Sequence, residues 1–432
     1  MGIEQVAADA RQASIALAAV NTEIKNHALA AIAAALKKNS SQIIAANRQD
    51  LAAAEKDALA KPLLKRLTFD KEKIADVVAG IESLIRLPDP VGVTLKATEL
   101  DKGLELYKVS CPIGVIGVVF ESRPDALVQI STLCLKSGNA VLLKGGSEAN
   151  HTNRILAEVI TTAGKEAGLP EGWLHLLATR SDVAEMLALD EYIDLVIPRG
   201  SNEFVRYIMD NTNIPVLGHA EGICHVYVDC DADPEMAVKI TVDSKCQYAA
   251  VCNAAETLLV HEKIAGDFLP KVKIALEEKA VELRGCGKTR SIIDVEPAAE
   301  DDWSAEYLDY ILSIKVVADV DAAIEHINRY GSGHTDSIVT NNRQTAGKFM
   351  QLVDSGNVFH NCSTRFSDGF RYGLGAEVGI STNKIHARGP VGLEGLVIYK
   401  YKLLGTGQVA AQYCGPDARK FTHTQIRKDC PM

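Results

Sequence analysis

Hydrophobic spacing divides the chain into stretches of different period. From residue 3 to about 85, Leu and Ile recur at helical intervals in an Ala-rich background, as in Ile32-Ala-Ala-Ala-Leu36-Lys-Lys. This predicts several amphipathic helices. Pro88-Asp-Pro90 ends the run. Leu104-Glu-Leu-Tyr-Lys-Val-Ser110 alternates apolar and polar positions and predicts a half-exposed strand. Gly114-Val-Ile-Gly-Val-Val-Phe120 and Ala140-Val-Leu-Leu-Lys144 are apolar runs of the kind found in strands buried on both faces. Helices are predicted at 126–137 and 149–167, with further strands at Leu174-His-Leu-Leu177 and Leu195-Val-Ile-Pro198. Strands alternating with helices imply βαβ units and a doubly wound sheet. A second α/β block opens at His225-Val-Tyr-Val-Asp229 and runs to about residue 390. Beyond it, Gly395 to Leu404 reads as a long strand with few partners nearby, open to pairing with another chain. The tail after Gly405 is polar and expected to be loosely held.

Composition narrows the class. The 432 residues suffice for two or three packed units, and 47% hydrophobic with 24% charged residues suits a soluble globular protein. Aromatics are 5%, so Ala, Val, Leu and Ile must build the cores. A net charge of −10 argues against general affinity for nucleic acid or anionic membrane. Ten cysteines, scattered from Cys111 to Cys430 without a framework spacing, read as reduced cytosolic thiols. Cys224, His225, Cys230 and Cys246 lack the CxxC or HxxxH pairs of a zinc site, so no metal is expected. No apolar stretch is long enough to span a membrane, and the N-terminus lacks a signal-peptide core. A cytoplasmic protein is expected.

Several positions could carry chemistry. Cys252 sits where a polar approach meets an apolar, strand-like run, and Asn253 and small residues leave a ligand room to reach its sulfur. The plainer alternative is a buried cysteine acting as a small hydrophobe. Lys144 closes a buried strand and is followed by Gly145-Gly-Ser147-Glu148 and a helix start, which places a cation and free N–H groups where a nucleotide would lie. Glu148 could accept ribose hydroxyls. A charged turn with a helix cap is the alternative there. Arg199-Gly200-Ser201 repeats the layout, and two such strand ends in one sheet make a dinucleotide crevice more credible than one. Arg123, also after a buried strand, could grip a carboxylate or phosphate, or form a structural ion pair. The loop Asn361-Cys-Ser363-Thr364-Arg365-Phe-Ser-Asp368 is rich in donors and could hold a small anionic substrate, or be an ordinary surface loop. Gly405-Thr-Gly407-Gln-Val-Ala410 fits GxGxxA but has no βαβ unit around it, and is expected to be a turn. His334 has no assigned role.

Taken together, the stretches Pro112–Pro124, Cys134–Glu148, Ile197–Ser201, Cys224–Asp229, Cys252–His261, Asn361–Asp368, Gly373–Ser381 and His386–Pro390 resemble the aldehyde dehydrogenase superfamily, and within it the reductases of γ-glutamyl phosphate. The resemblance covers essentially the whole chain. It implies an α/β fold with a Rossmann-type cofactor domain (1–102 and 112–222), a catalytic domain (223–390) and a β oligomerisation arm with the C-terminal tail (103–111 and 391–432). It implies Cys252 as nucleophile, NADPH at Lys144, Ser147, Glu148, Gly200 and Ser201, and Glu377 holding the nicotinamide ribose. Hydrolytic members carry a Glu-Leu-Gly-Gly motif before the nucleophile, where this chain reads Gly218-His219-Ala-Glu221-Gly222. Without a water-activating glutamate, a cysteinyl thioester is expected to be reduced to aldehyde and not hydrolysed. The roles of His219 and Glu221 stay open.

The implied reaction turns γ-glutamyl phosphate into glutamate-5-semialdehyde and phosphate, the second step of proline biosynthesis from glutamate. The backbone N–H of Cys252 with the amide of Asn361 or Asn253 would hold the oxyanion. Arg123 and Ser363-Thr364-Arg365 are candidates for phosphate and α-carboxylate. A homo-oligomer is expected, and a glutamate 5-kinase could hand over the labile substrate. Rival readings are a CoA-dependent acylating dehydrogenase, a cysteine hydrolase and a non-catalytic scaffold.

Overall fold

The computed structural model describes residues 2–59, 61–121, 123–177, 181–219, 221–374 and 377–431. Ser122, Ala220, Gly375 and Ala376, which belong to the stretches quoted above, lie outside the described residues.

Five helices open the chain: α1 (Ile3–Leu17), α2 (Thr22–Lys38), α3 (Ser40–Lys56), α4 (Lys61–Leu67) and α5 (Lys71–Arg86). Asn21 and Asp70 cap α2 and α5 by accepting backbone N–H bonds from Ile24 and Lys73. Their apolar stripes, among them Leu29, Ile32, Leu36, Val77 and Ile81, pack on the outer face of the first α/β layer. Strands β1 (Thr94–Asp101) and β2 (Leu104–Pro112) then form an antiparallel hairpin that leaves the body.

The first sheet contains β3 (Val115–Phe120), β4 (Ala140–Lys144), β5 (Leu174–Leu176) and β6 (Leu195–Arg199), all parallel, in the order β5-β4-β3-β6. Helices α6 (Pro124–Lys136) and α7 (Asn150–Glu166) pack on one face. The other face is covered by α1 with α8 (Ser181–Met186) and α9 (Asn202–Asp210). Every residue of β3 and β4 is buried, as their unbroken apolar runs require.

A seven-stranded parallel sheet forms the second body. Its strands are β7 (Cys224–Val228), β8 (Ala255–His261), β9 (Glu282–Gly285), β10 (Glu296–Pro297), β11 (Ile311–Val317), β12 (Thr335–Val339) and β13 (Asn357–His360). Their order is β10-β9-β11-β8-β7-β12-β13. Helices α10 (Pro234–Cys246), α11 (Glu262–Glu277), α12 (Gly287–Arg290), α13 (Val320–Tyr330) and α14 (Arg343–Leu352) cover it. A small hairpin, β14 (Gly379–Ser381) with β15 (Gly389–Val391), follows.

The chain then returns as β16 (Val397–Leu404), which pairs antiparallel with β2 along its whole length, and ends with β17 (Thr424–Ile426) on β1. Two expectations change here. Residues 94–101, assigned to the cofactor domain, form a strand of the arm. The tail is also tied down: Tyr413 and Arg419 bond to Asp101, and Lys428 to Glu105. Gly405 to Ala410 does form a turn, with Gly407 at φ +108.

Candidate active site

The order β5-β4-β3-β6 means that the chain steps outward from β3 through β4 to β5, then returns to the other side of β3. Such a reversal opens a crevice at the carboxyl ends of the strands, where open α/β sheets bind ligands. Val119 is level with Lys144, and Phe120 with Arg199. Lys144, Glu121, Arg123 and Arg199 therefore share one edge. Lys144 Nζ donates to the Gly145 carbonyl. Ser147 and Glu148 form a short 3-10 turn into α7. Ser201 is the N-cap of α9, with an extended backbone and no side-chain cap bond. Its N–H reaches Glu121 Oε2 at 3.3 Å. A Cβ on Gly200 would lie 2.9 Å from both Glu121 Oε2 and the Phe204 ring, so a side chain there would crowd both. Two cations, a helix N-terminus and a backbone cradle suit the phosphates of a dinucleotide.

Cys252 lies in the loop between α10 and β8, against the segment that joins the two bodies. A Cβ on Gly222 would fall 2.1 Å from the Cys252 carbonyl oxygen and 2.5 Å from its Cα and Cβ. Cys224 Sγ donates to the same carbonyl at 3.2 Å. The backbone of Cys252 is thus held from two sides. Burial pushes its thiol up to about 12; Glu306 and Glu377 act in the same direction, and Arg199 opposes them. At neutral pH the sulfur rests as a thiol. Glu306, which sequence reading passed over, accepts Gly222 N–H at 2.9 Å on one oxygen and the Asn202 amide at 2.6 Å on the other.

The two unassigned histidines meet at this sulfur. A ring nitrogen of His219, a ring nitrogen of His334 and Cys252 Sγ all lie within 4.8 Å of one another. The rings pack edge to face with centroids 4.9 Å apart. His219 Nδ1 bonds the Ile380 carbonyl at 2.9 Å. His334 is fully buried, with Nδ1 2.8 Å from Thr335 Oγ1 and 3.6 Å from Cys224 Sγ, and no hydrogen-bond partner on Nε2. Burial lowers both imidazoles below their ordinary value and keeps them neutral. Glu221 turns away and pairs with Arg206 at 2.8 Å.

The donor-rich loop divides into a binding part and a holding part. Ser363 Oγ accepts from Ser244 Oγ and Arg365 N–H, while Thr364 Oγ1 donates to the Asn253 carbonyl at 2.7 Å. These hydroxyls fasten the loop to α10 and to the residue after the nucleophile. Arg365 is held through Nε by Gln247 at 2.9 Å, and Cys252 is among the groups that would act on its charge once ionised. Asn253 donates its amide to the Ser367 carbonyl at 2.7 Å, so it braces the loop. Asn361 is anchored on Thr340. Its amide both accepts from Thr340 N–H at 2.9 Å and donates to the Thr340 carbonyl at 3.0 Å. Glu377 accepts Gly369 N–H at 2.8 Å and sits in the field of Arg199, whose guanidinium donates to the Val378 carbonyl at 2.6 Å. Arg123 is half-exposed, 3.5 Å from Asp125. Among the described residues, Cys224, His225, Cys230 and Cys246 share no ligand cluster; His225 is locked onto Asp336 at 2.8 Å.

Comparison with known proteins places this geometry. The profile of the aldehyde dehydrogenase family matches residues 3–286 and 292–375. The γ-glutamyl phosphate reductase of Acetivibrio thermocellus is 64% identical over 432 residues, all of both chains. That of Pelotomaculum thermopropionicum is 66% identical over 429 residues, 99% of each. The crystal structure of γ-glutamyl phosphate reductase from Thermotoga maritima superposes with a TM-score of 0.92 at 44% identity, covering 94% of this chain and 99% of that one.

Proposed function

The chain belongs to the aldehyde dehydrogenase family and, within it, to the γ-glutamyl phosphate reductases, and from that premise we propose that it reduces γ-glutamyl phosphate to glutamate-5-semialdehyde and phosphate through a thioester on Cys252. One observation carries the choice of reduction over hydrolysis: the described carboxylates around the sulfur already hold other partners. Both Glu306 oxygens hold Gly222 and Asn202, Glu377 holds Gly369, and Glu221 pairs with Arg206. Among the described residues, Glu306 and Glu221 are thus already engaged, and Glu377 is engaged through one oxygen.

The crevice at Lys144, Ser147, Glu148, Arg199, Gly200 and Ser201 would hold NADPH, with Glu377 at the edge nearest Cys252. When bound, the reduced nicotinamide supplies the hydride that turns the thioester into aldehyde. Lys144 and Arg199 offer positive charge for an extra 2′-phosphate. Attack by Cys252 on the acyl carbon expels phosphate and splits one difficult step into two easier ones. Its backbone N–H, held in place by Gly222 and Cys224, would face the oxyanion. Arg365 and Arg123 would receive the phosphate and α-carboxylate, while Ser363, Thr364 and Asn253 keep the loop in place. Hydride acceptance needs no metal.

Strand β16 leaves Ile398, Tyr399, Tyr401 and Leu403 exposed on the arm, and a second copy of the chain is the partner such an edge fits. No described helix is long and apolar enough to cross a membrane. A cytoplasmic enzyme that takes its labile substrate from a glutamate 5-kinase accords with this reading. The reaction run backwards tests it: glutamate-5-semialdehyde, phosphate and NADP+ should generate NADPH, followed by its near-ultraviolet absorbance. A rate independent of phosphate, or restored by CoA in its place, would sink the acyl-phosphate mechanism.

A further inference from the structure

We propose that His219 is the acid–base residue of this site: its Nε2 takes the proton of Cys252 as the sulfur attacks and delivers one back when the thiolate is released. The inference rests on Cys252 being the nucleophile and adds the group that makes it reactive.

The geometry supports it in three ways. First, a ring nitrogen of His219 is within 4.8 Å of the sulfur. Second, the tautomer is fixed. A carbonyl oxygen can only accept, so Nδ1, 2.9 Å from the Ile380 oxygen, carries the proton, and Nε2 keeps its lone pair. A base oriented by a third group through its far nitrogen is the arrangement that activates nucleophiles elsewhere. His334 packs edge-on against the ring and restricts its rotation. Third, the described carboxylates nearby already hold other partners: both oxygens of Glu306, one of Glu377, and Glu221 through Arg206. The charged and titratable groups facing His219 are Arg199 from the cofactor side, and Glu306, His334 and Cys252 from the catalytic side.

A gap of up to 4.8 Å exceeds a direct hydrogen bond. Rotation about the Cys252 Cα–Cβ bond or one bridging water closes it, and such bonds commonly tighten only when substrate is present. Burial keeps the thiol protonated and the imidazole neutral, so the transfer runs together with C–S bond formation and not ahead of it. As that bond forms, the S–H proton moves to Nε2; as the acyl C–O bond breaks, the departing phosphate takes it. When the aldehyde leaves, the C–S bond breaks, and the thiolate recovers a proton from solvent through the same nitrogen. One proton is consumed per turnover.

The test compares wild type with His219→Gln and His219→Ala. Alkylation of Cys252 by iodoacetamide, followed by the mass of the Cys252 peptide, needs no substrate and is independent of which acyl phosphate the enzyme uses. At neutral pH both variants should react about tenfold or more slowly, and added imidazole should restore part of the rate in His219→Ala. In the reverse reaction kcat should fall about 100-fold or more, with KM for NADP+ unchanged. Unchanged alkylation, or a kcat within about threefold of wild type, overturns the proposal. A loss accompanied by collapse of NADP+ affinity in both variants also counts against it, because a structural role predicts that pattern. If wild type lacks the reverse reaction but the alkylation difference stands, the substrate reading fails and His219 keeps its role.

Discussion

Gly222→Ala adds one carbon at a position that shares no helix or strand with the nucleophile. That carbon would fall 2.1 Å from the Cys252 carbonyl oxygen and 2.5 Å from its Cα. Ordinary contact is about 3.5 Å, so the two backbones must part by about 1 Å. Neither can yield freely. Gly222 N–H is bonded to Glu306, and the Cys252 carbonyl takes the Cys224 thiol. Overpacking of this kind costs about 1–3 kcal/mol of stability. The effect on rate should be larger, since a displacement of about 1 Å at reacting atoms costs on the order of 100-fold. The phosphate-binding crevice lies on another strand set, so KM for NADP+ should stay near the wild-type value. Initial rates of NADPH formation from glutamate-5-semialdehyde and phosphate, with a thermal melt on the same sample, measure both quantities. A Gly222→Ala enzyme with wild-type kcat would show that the position of the Cys252 backbone is not set by this contact.

Other outcomes follow from the same geometry. Glu221→Gln should leave kcat unchanged, because Glu221 faces Arg206 at the surface; a loss of activity would give it a part in the chemistry. Lys245 and Glu256 form a fully buried ion pair at 2.5 Å, so Lys245→Met should destabilise by about 3–5 kcal/mol and the double change Lys245→Met, Glu256→Leu by much less, as read from denaturant midpoints. Activity requires neutral His219, which burial holds below its ordinary 6.5; kcat/KM should therefore stay level as pH falls through 6.5 and decline only below it, and an acid limb centred above 6.5 would contradict this. Tyr401→Glu should weaken self-association in sedimentation velocity, because Tyr401 is 61% exposed on the open strand β16; an unchanged sedimentation coefficient would move the interface elsewhere.

What could be read from the chain in advance has a physical pattern. Lys144, Arg199 and Cys252 stand out because their surroundings are local: a buried apolar run, then a small or charged residue at its end. Glu306 gave no such signal. It acts on Gly222, 84 residues away, and on Asn202, 104 residues away, and only folding brings them together. Ser363 and Thr364 have the right chemistry for binding, yet their hydroxyls are spent on Ser244 and Asn253, which no spacing shows. Asn361 is likewise anchored on Thr340. Strand β1 was missed because only Ala97 and Asp101 along it are buried, and one of its two pairing partners, β17, lies at the far end of the chain. His219 drew attention through a missing motif, and its partner at Ile380, 161 residues on, gives it a direction.

The tail's return to β1 has a consequence for growth. A four-stranded arm has two outer edges, and an arm open at both could add copies without end. Here β17 occupies the far side of β1, backed by the bonds of Arg419 to Asp101 and Lys428 to Glu105. The two outer strands are then the long β16 (Val397–Leu404) and the short β17 (Thr424–Ile426). The long edge offers a full ladder of unpaired backbone groups, whereas the three-residue edge offers little to pair with, which is how short edge strands blunt sheet growth. A tail that ends in so short an edge disfavours the addition of copies at that side, a property that nothing in its polar composition announces.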